Sequence, residues 1–242
     1  MGRAQRPTAI LLPGLDGSGR LFAPLLAAGP RAFDPEPVPF PHDRPLGFDE
    51  LAALVRRRLP RRRFVLLAES FSGPLAIRLA AERPRGLVAL VLAATFVHRP
   101  LDPLLHPVRG LVGARLFGLP MPAAVIRRFM AGPDAPDALV AEVQRAVAAV
   151  PPAVMAHRSA EALRVDAREA LAGVDVPILF LSPTRDQLIR RDAHEDVLAL
   201  RPDAEVALLD APHMVLQRCP HASLGRIEEF LAAPGARPGI VA

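Results

Sequence analysis

The segment Phe64-Val-Leu-Leu-Ala-Glu-Ser70-Phe-Ser-Gly-Pro-Leu-Ala-Ile77 carries the strongest chemical signal in the chain. An apolar run, read as a buried strand, enters Ala68-Glu69-Ser70-Phe71-Ser72-Gly73, and a helical pattern follows at once. A serine on so sharp a strand-to-helix turn presents its hydroxyl at the carboxyl edge of a sheet. The helix N-terminus then aims free N–H groups at negative charge developing beside it. Small residues are needed at −2 and +2, and Ala68 and Ser72 supply them. Pro74 is tolerated because first-turn N–H groups lack intrahelical partners. Ser72 is the rival nucleophile, but its own flanking residues would be Ser70 and Pro74.

A hydroxyl is a weak nucleophile until an imidazole takes its proton, and a carboxylate behind the imidazole fixes its tautomer and stabilises the imidazolium. Two later loops offer these groups. The apolar run Val176–Ser182 ends in Pro183-Thr184-Arg185-Asp186, and Glu205–Leu209 is followed by Asp210-Ala-Pro-His213. Ligands of open parallel sheets bind at the carboxyl ends of strands, so Ser70, Asp186 and His213 can converge there. Asp192 and Asp210 compete for the acid's place; Asp192 reads as the N-cap of the helix that follows it. Of the other histidines, His42 and His98 follow candidate strands, His106 and His157 fall in an insertion, and His194 and His221 belong to helices. No pair has the i, i+4 spacing of a helical zinc site, so no metal is expected. Asp16 and Glu69 flank the turn region, and both read as solvent-exposed.

The elements that must position these groups alternate between apolar runs and helix-period segments, the pattern of a mostly parallel sheet with helices on both faces. Candidate strands are Thr8–Leu12, Val38–Phe40, Phe64–Ala68, Leu87–Ala93, Val176–Ser182 and Glu205–Leu209, about six in all. Candidate helices are Arg20–Ala28, Phe48–Arg58, Gly73–Glu82, Ala193–Leu200 and Pro220–Ala232. Between Leu87–Ala93 and Val176–Ser182 the chain is far longer than one crossover helix requires. The proline-rich stretch 98–163 reads as a helical cap over the end of the sheet, leaving 1–97 and 164–242 as the α/β core. Asp134 and Pro136 can open a cap helix with Leu139, Val143 and Val147 on one face.

With these motifs the chain resembles the α/β-hydrolase superfamily over essentially its whole length. The family's Gly-x-Ser-x-Gly elbow is present with Ala68 and Ser72 in place of the two glycines and Gly73 one residue on. The loop after the first strand, Pro13-Gly14-Leu15-Asp16-Gly17-Ser18-Gly19, keeps the form of the family's oxyanion loop, with Pro13 where histidine is common. The resemblance implies that the backbone amides of Leu15 and Phe71 form the oxyanion hole, and that the triad follows in the order Ser70, Asp186, His213. The glycines fit neither Gly-x-Gly-x-x-Gly nor a Walker loop, so nucleotide binding is not expected.

Composition bounds the rest. At roughly 150 residues per domain, 242 residues make one generous domain or a domain with an insertion. Hydrophobic residues are 51% and charged residues 23%, with a mean hydropathy of +0.24, so a sizeable core is available and disorder is excluded. The chain carries 30 basic and 25 acidic residues, yet its pI is 11.0, because every basic residue is Arg and there is no Lys or Tyr. Six arginines crowd into Arg56–Arg63, but with no Trp or Tyr for stacking, and acids interspersed elsewhere, no nucleic-acid partner is expected. The longest apolar run, Leu87–Val97, is too short to span a bilayer, and no signal peptide is visible. One cysteine, Cys219, excludes an internal disulfide. The sequence thus reads as a cytoplasmic serine hydrolase of carboxylic esters or thioesters, taking a small-molecule acyl substrate, with no cofactor and no stable membrane insertion. An acyltransferase using the same triad, or a non-catalytic ligand-binding protein of the same fold, is the alternative, and the oligomeric state is left open.

Overall fold

In a computed structural model of the chain, which describes residues 6–98, 100, 117–232 and 239–241, alternate residues of the central strands go to opposite faces of one sheet. The strands are β1 (Thr8–Leu12), β2 (Asp34–Pro37), β3 (Phe64–Glu69), β4 (Leu87–Ala93), β5 (Ile178–Pro183), β6 (Glu205–Leu209) and β7 (Gly239–Val241). Their order is β2-β1-β3-β4-β5-β6-β7, and every pairing is parallel. From β1 the chain crosses to β2 on one side and β3 on the other, so the order reverses at β1 and β3. That reversal opens a crevice outside the strands' carboxyl ends.

One face buries Ile10, Leu66, Leu92 and Phe180 under helices α2 (Phe48–Arg56), α3 (Gly73–Ala81), α6 (Arg168–Ala172) and α7 (Ala193–Leu200). The other buries Leu11, Leu67, Val91 and Leu181 under α1 (Ala23–Ala27), α8 (Val215–Arg218) and α9 (Pro220–Ala232). Covering both faces is what makes the strands continuous apolar runs instead of alternating ones. Between β4 and β5 lie a helical turn with π geometry ending at Ala131, then α4 (Asp137–Ala148) and α5 (Pro152–Arg164). This segment leaves and rejoins the sheet side by side, through an antiparallel bridge between His98 and Asp166. Positions 99 and 101–116 of the expected cap, His106 among them, lie outside the described residues. No single helix among the described residues is long and apolar enough to cross a membrane.

Three elements differ from the sequence reading. The edge strand β2 precedes Val38–Phe40; Pro35 and Pro37 fit an edge, where a missing N–H costs little. Val38 and Phe40 are buried in the core just beyond it, which is why their apolar pattern read as the strand. β7 adds a seventh strand on β6, from a segment of three residues too short to show a pattern. Asp134 does not open α4, whose N-cap is Pro136; its carboxylate pairs instead with Arg218 at 2.7 Å.

Candidate active site

β3 ends at Glu69, Ser70–Ser72 form one tight 3-10 turn, and α3 begins at Gly73. Ser70 sits at φ 51°, a left-handed conformation that costs a non-glycine residue about 1–3 kcal/mol and persists only where surroundings enforce it. The enforcing contacts are visible. The Thr95 hydroxyl, just past β4, and the Gly73 amide both donate to the Ser70 carbonyl. A Cβ on Gly73 would lie 2.0 Å from Thr95 Oγ1, so only glycine fits there. The rival Ser72 is fully buried, and its hydroxyl donates to the carbonyl of Pro13.

His213 hangs in the loop after β6 and Asp186 in the loop after β5, in adjacent positions at the sheet's carboxyl edge. His213 Nδ1 donates to Asp186 Oδ2 at 2.7 Å, and His213 Nε2 accepts from Ser70 Oγ at 3.0 Å. The other Asp186 oxygen accepts the amides of Leu188 at 2.7 Å and Ile189 at 2.9 Å, which fixes the carboxylate's rotation. Both Asp186 and His213 are buried. Burial pulls the His213 pKa down, but the charge and hydrogen bond of Asp186, with the charge of Glu69, outweigh it and raise it above the ordinary imidazole value. The competing acids are elsewhere: the Asp210 side chain is 82% exposed and pairs with Arg185 at 2.7 Å. Asp192 stands at the N-cap of α7 but makes no capping hydrogen bond; its carboxylate pairs with Arg190 at 3.2 Å.

Gly14 and Leu15 approach Ser70 from the end of β1, where a Cβ on Gly14 would lie 3.9 Å from the Ser70 Cβ. The amides of Leu15 and Phe71 have no acceptor among the described residues. Phe71 is fixed by stacking on Phe48, ring centroids 4.8 Å apart, and by the edge of Phe40 at 6.4 Å. A cavity of about 340 Å³ opens on Ser70, His213 and both loops. Its walls are apolar, with Phe96, Val143, Val147, Met155 and Leu163 among them, mostly from the segment between β4 and β5.

Asp16 and Glu69 are buried, contrary to the exposure expected of them, and both line this cavity. The side chain of Asp16 accepts from the Ser18 amide at 2.9 Å and from the Ser18 hydroxyl. Glu69 accepts from Gln217 Nε2 at 2.8 Å. Burial pushes the Glu69 carboxyl up to about 7, a rise that the Gln217 hydrogen bond and the nearby His213 limit and Asp16 reinforces. Two participants had no legible signal: Thr95, one hydroxyl past a strand, and Arg158, a buried arginine on α5 that reaches the Leu15 loop.

Sheet order, elbow and loop placement define one class: the chain has the α/β-hydrolase fold. The enol-lactonase of Burkholderia xenovorans LB400 superposes with a TM-score of 0.80 at 19% identity, covering 95% of this chain and 93% of that one. A hydrolase from Pseudomonas aeruginosa PA01 gives 0.72 at 22% identity, covering 96% and 92%. The carboxylesterase CesB of Bacillus subtilis gives 0.68 at 18%, covering 95% and 85%. In sequence, the chain is 30% identical over 233 residues to the polyketide synthase ThaQ of Burkholderia thailandensis, spanning 86% of this chain but only 11% of that protein. No protein-family model matches the chain.

Proposed function

We propose that the protein is a serine hydrolase that cleaves carboxylic esters or thioesters through an acyl-enzyme. The observation that carries this reading is the unbroken relay from Asp186 through His213 to Ser70, with contacts of 2.7 and 3.0 Å, opening on an apolar cavity. Ser70 Oγ attacks the substrate carbonyl as His213 Nε2 takes its proton, and the charge on the carbonyl oxygen is met by the amides of Leu15 and Phe71. Collapse breaks the bond to the leaving oxygen or sulfur, which receives the proton from His213. Water, deprotonated by the same imidazole, then releases the acid and restores the serine. The segment between β4 and β5 acts as the cap that shelters the acyl group.

The cavity's chemistry selects the acyl group. Among the described residues that line it there is no Arg, although the chain has 30, whereas the acidic residues Asp16 and Glu69 are among them. An uncharged, apolar acyl chain suits such walls, and a carboxylate-bearing one would enter low dielectric without a cation. The likeness to part of a polyketide synthase is consistent with an acyl substrate. A pair of p-nitrophenyl esters of equal length, one ending in methyl and one in carboxylate, tests this. The neutral ester should be hydrolysed with kcat/KM on the order of 100-fold higher, equivalent to about 2.7 kcal/mol. Equal rates would overturn the substrate assignment, and no acyl-enzyme by mass spectrometry with any ester or thioester would overturn the hydrolase reading itself.

A further inference from the structure

Arg158 is the largest fully buried side chain in the described protein, with 1% of its surface exposed. A buried guanidinium normally meets a carboxylate, but this one forms no ion pair among the described residues: Nη1 donates to the carbonyls of Leu15 at 3.0 Å and Asp16 at 2.9 Å, and Nη2 to that of Pro41 at 2.8 Å. The nearby Asp16 carboxylate is turned to Ser18 instead. Burial lowers the guanidinium's pKa to about 10, so it remains a cation at neutral pH. It lies 5.7 Å from the centroid of the Phe40 ring, and Phe40 makes a T-shaped contact with Phe71. The amide of Phe40 donates to Gly17, closing the two loops on each other at 2.8 Å. Gly17, at φ 71°, has no Cβ where one would stand 2.5 Å from Arg158 Nη1.

We infer that Arg158 is the positioning residue of the oxyanion hole, holding the Leu15 loop from the cap. The inference rests on the hydrolase reading proposed above. The three carbonyls it ties are spread over two loops, and only a planar fork with several donors spans them; a lysine ammonium reaches fewer. Through the Leu15 carbonyl it holds the residue that supplies one oxyanion amide, and through Phe40 it backs the residue that supplies the other. Met155, Ser159 and Leu163 of the same helix α5 line the cavity. One helix therefore shapes the acyl site and sets the oxyanion geometry, a link between cap and core that touches no reacting atom.

The experiment compares wild type, Arg158→Lys and Arg158→Ala in p-nitrophenyl hexanoate hydrolysis, with and without methylguanidine, and measures inhibition by a trifluoromethyl ketone of the same chain length. That ketone forms the tetrahedral adduct and so reports the hole itself. Both variants should lose kcat on the order of 10- to 100-fold, with KM within about twofold, below the 10²- to 10³-fold cost of deleting a donor outright. The ketone's affinity should fall by the same factor, and methylguanidine should restore part of the kcat of Arg158→Ala. Where an Arg158 variant does not fold, Gly17→Ala, which drives a methyl into the guanidinium, should produce the same selective loss. Folded variants with kcat and ketone affinity within twofold of wild type, or a change confined to KM, would overturn the inference while leaving the hydrolase reading intact. Undiminished turnover by Ser70→Ala would instead overturn that reading.

Discussion

Ser72 donates its hydroxyl to the carbonyl of Pro13, so the serine that rivals Ser70 in sequence is a tie between the elbow and the loop after β1. It has no exposed surface, and among the described residues the His213 Nε2 contact goes to Ser70 and not to Ser72. Ser72→Ala is expected to leave a buried carbonyl without its donor and cost about 1–3 kcal/mol of stability by chemical denaturation. Labelling by a fluorophosphonate should persist in the folded variant. Complete loss of labelling without unfolding would move the nucleophile to Ser72.

Of the three candidate acids, Asp186 is the one whose carboxylate meets His213, at 2.7 Å. Asp186→Asn should leave the fold intact, because the Leu188 and Ile189 amides can still donate to the remaining carbonyl oxygen. It should lower kcat on the order of 10⁴-fold by favouring the wrong imidazole tautomer, if the site behaves like the serine-protease template. Asp210→Asn and Asp192→Asn, each removing one surface ion pair, should change kcat by less than about twofold. Steady-state kinetics on the three variants decides among them, and a crippling Asp210→Asn would reassign the acid.

As the proposed base, His213 must be neutral to take the serine proton, so kcat/KM should rise with pH and reach half its plateau above the ordinary imidazole pKa of about 6.5. Part of that elevation comes from the charge of Glu69. Glu69→Gln removes a negative charge that favours the imidazolium, so the acid limb should move to lower pH. A shift to higher pH, or a flat profile from pH 5 to 8 in either protein, would contradict this arrangement.

Much of the candidate site was legible because its signals are local. Ser70 stands in a strand-turn-helix junction whose small neighbours are contiguous, and Asp186 and His213 each follow an unbroken apolar strand. The sheet was legible for the same reason: strands buried on both faces leave runs that polar segments bound. The unread part depends on distant contacts. Arg158 resembles the chain's many surface arginines until α5 folds back over residues 15–41, more than a hundred positions away in sequence. Glu69 read as exposed because a carboxylate after a strand usually is, whereas Gln217, 148 residues on, shields it. Val38–Phe40 misled because burial beside an edge strand imitates a strand.

The proposed role of Ser70 is that of nucleophile in an acyl transfer to water. Its most direct measurement is the pre-steady-state release of p-nitrophenol from p-nitrophenyl hexanoate by wild type and Ser70→Ala, with folding of both checked by circular dichroism. Wild type should show a burst of about one equivalent when deacylation limits turnover, together with an acyl adduct on the peptide containing Ser70. Ser70→Ala, equally folded, should show no burst, no adduct and turnover at least about 10³-fold lower. A folded Ser70→Ala variant that gives the same burst and the same turnover as wild type would contradict the account.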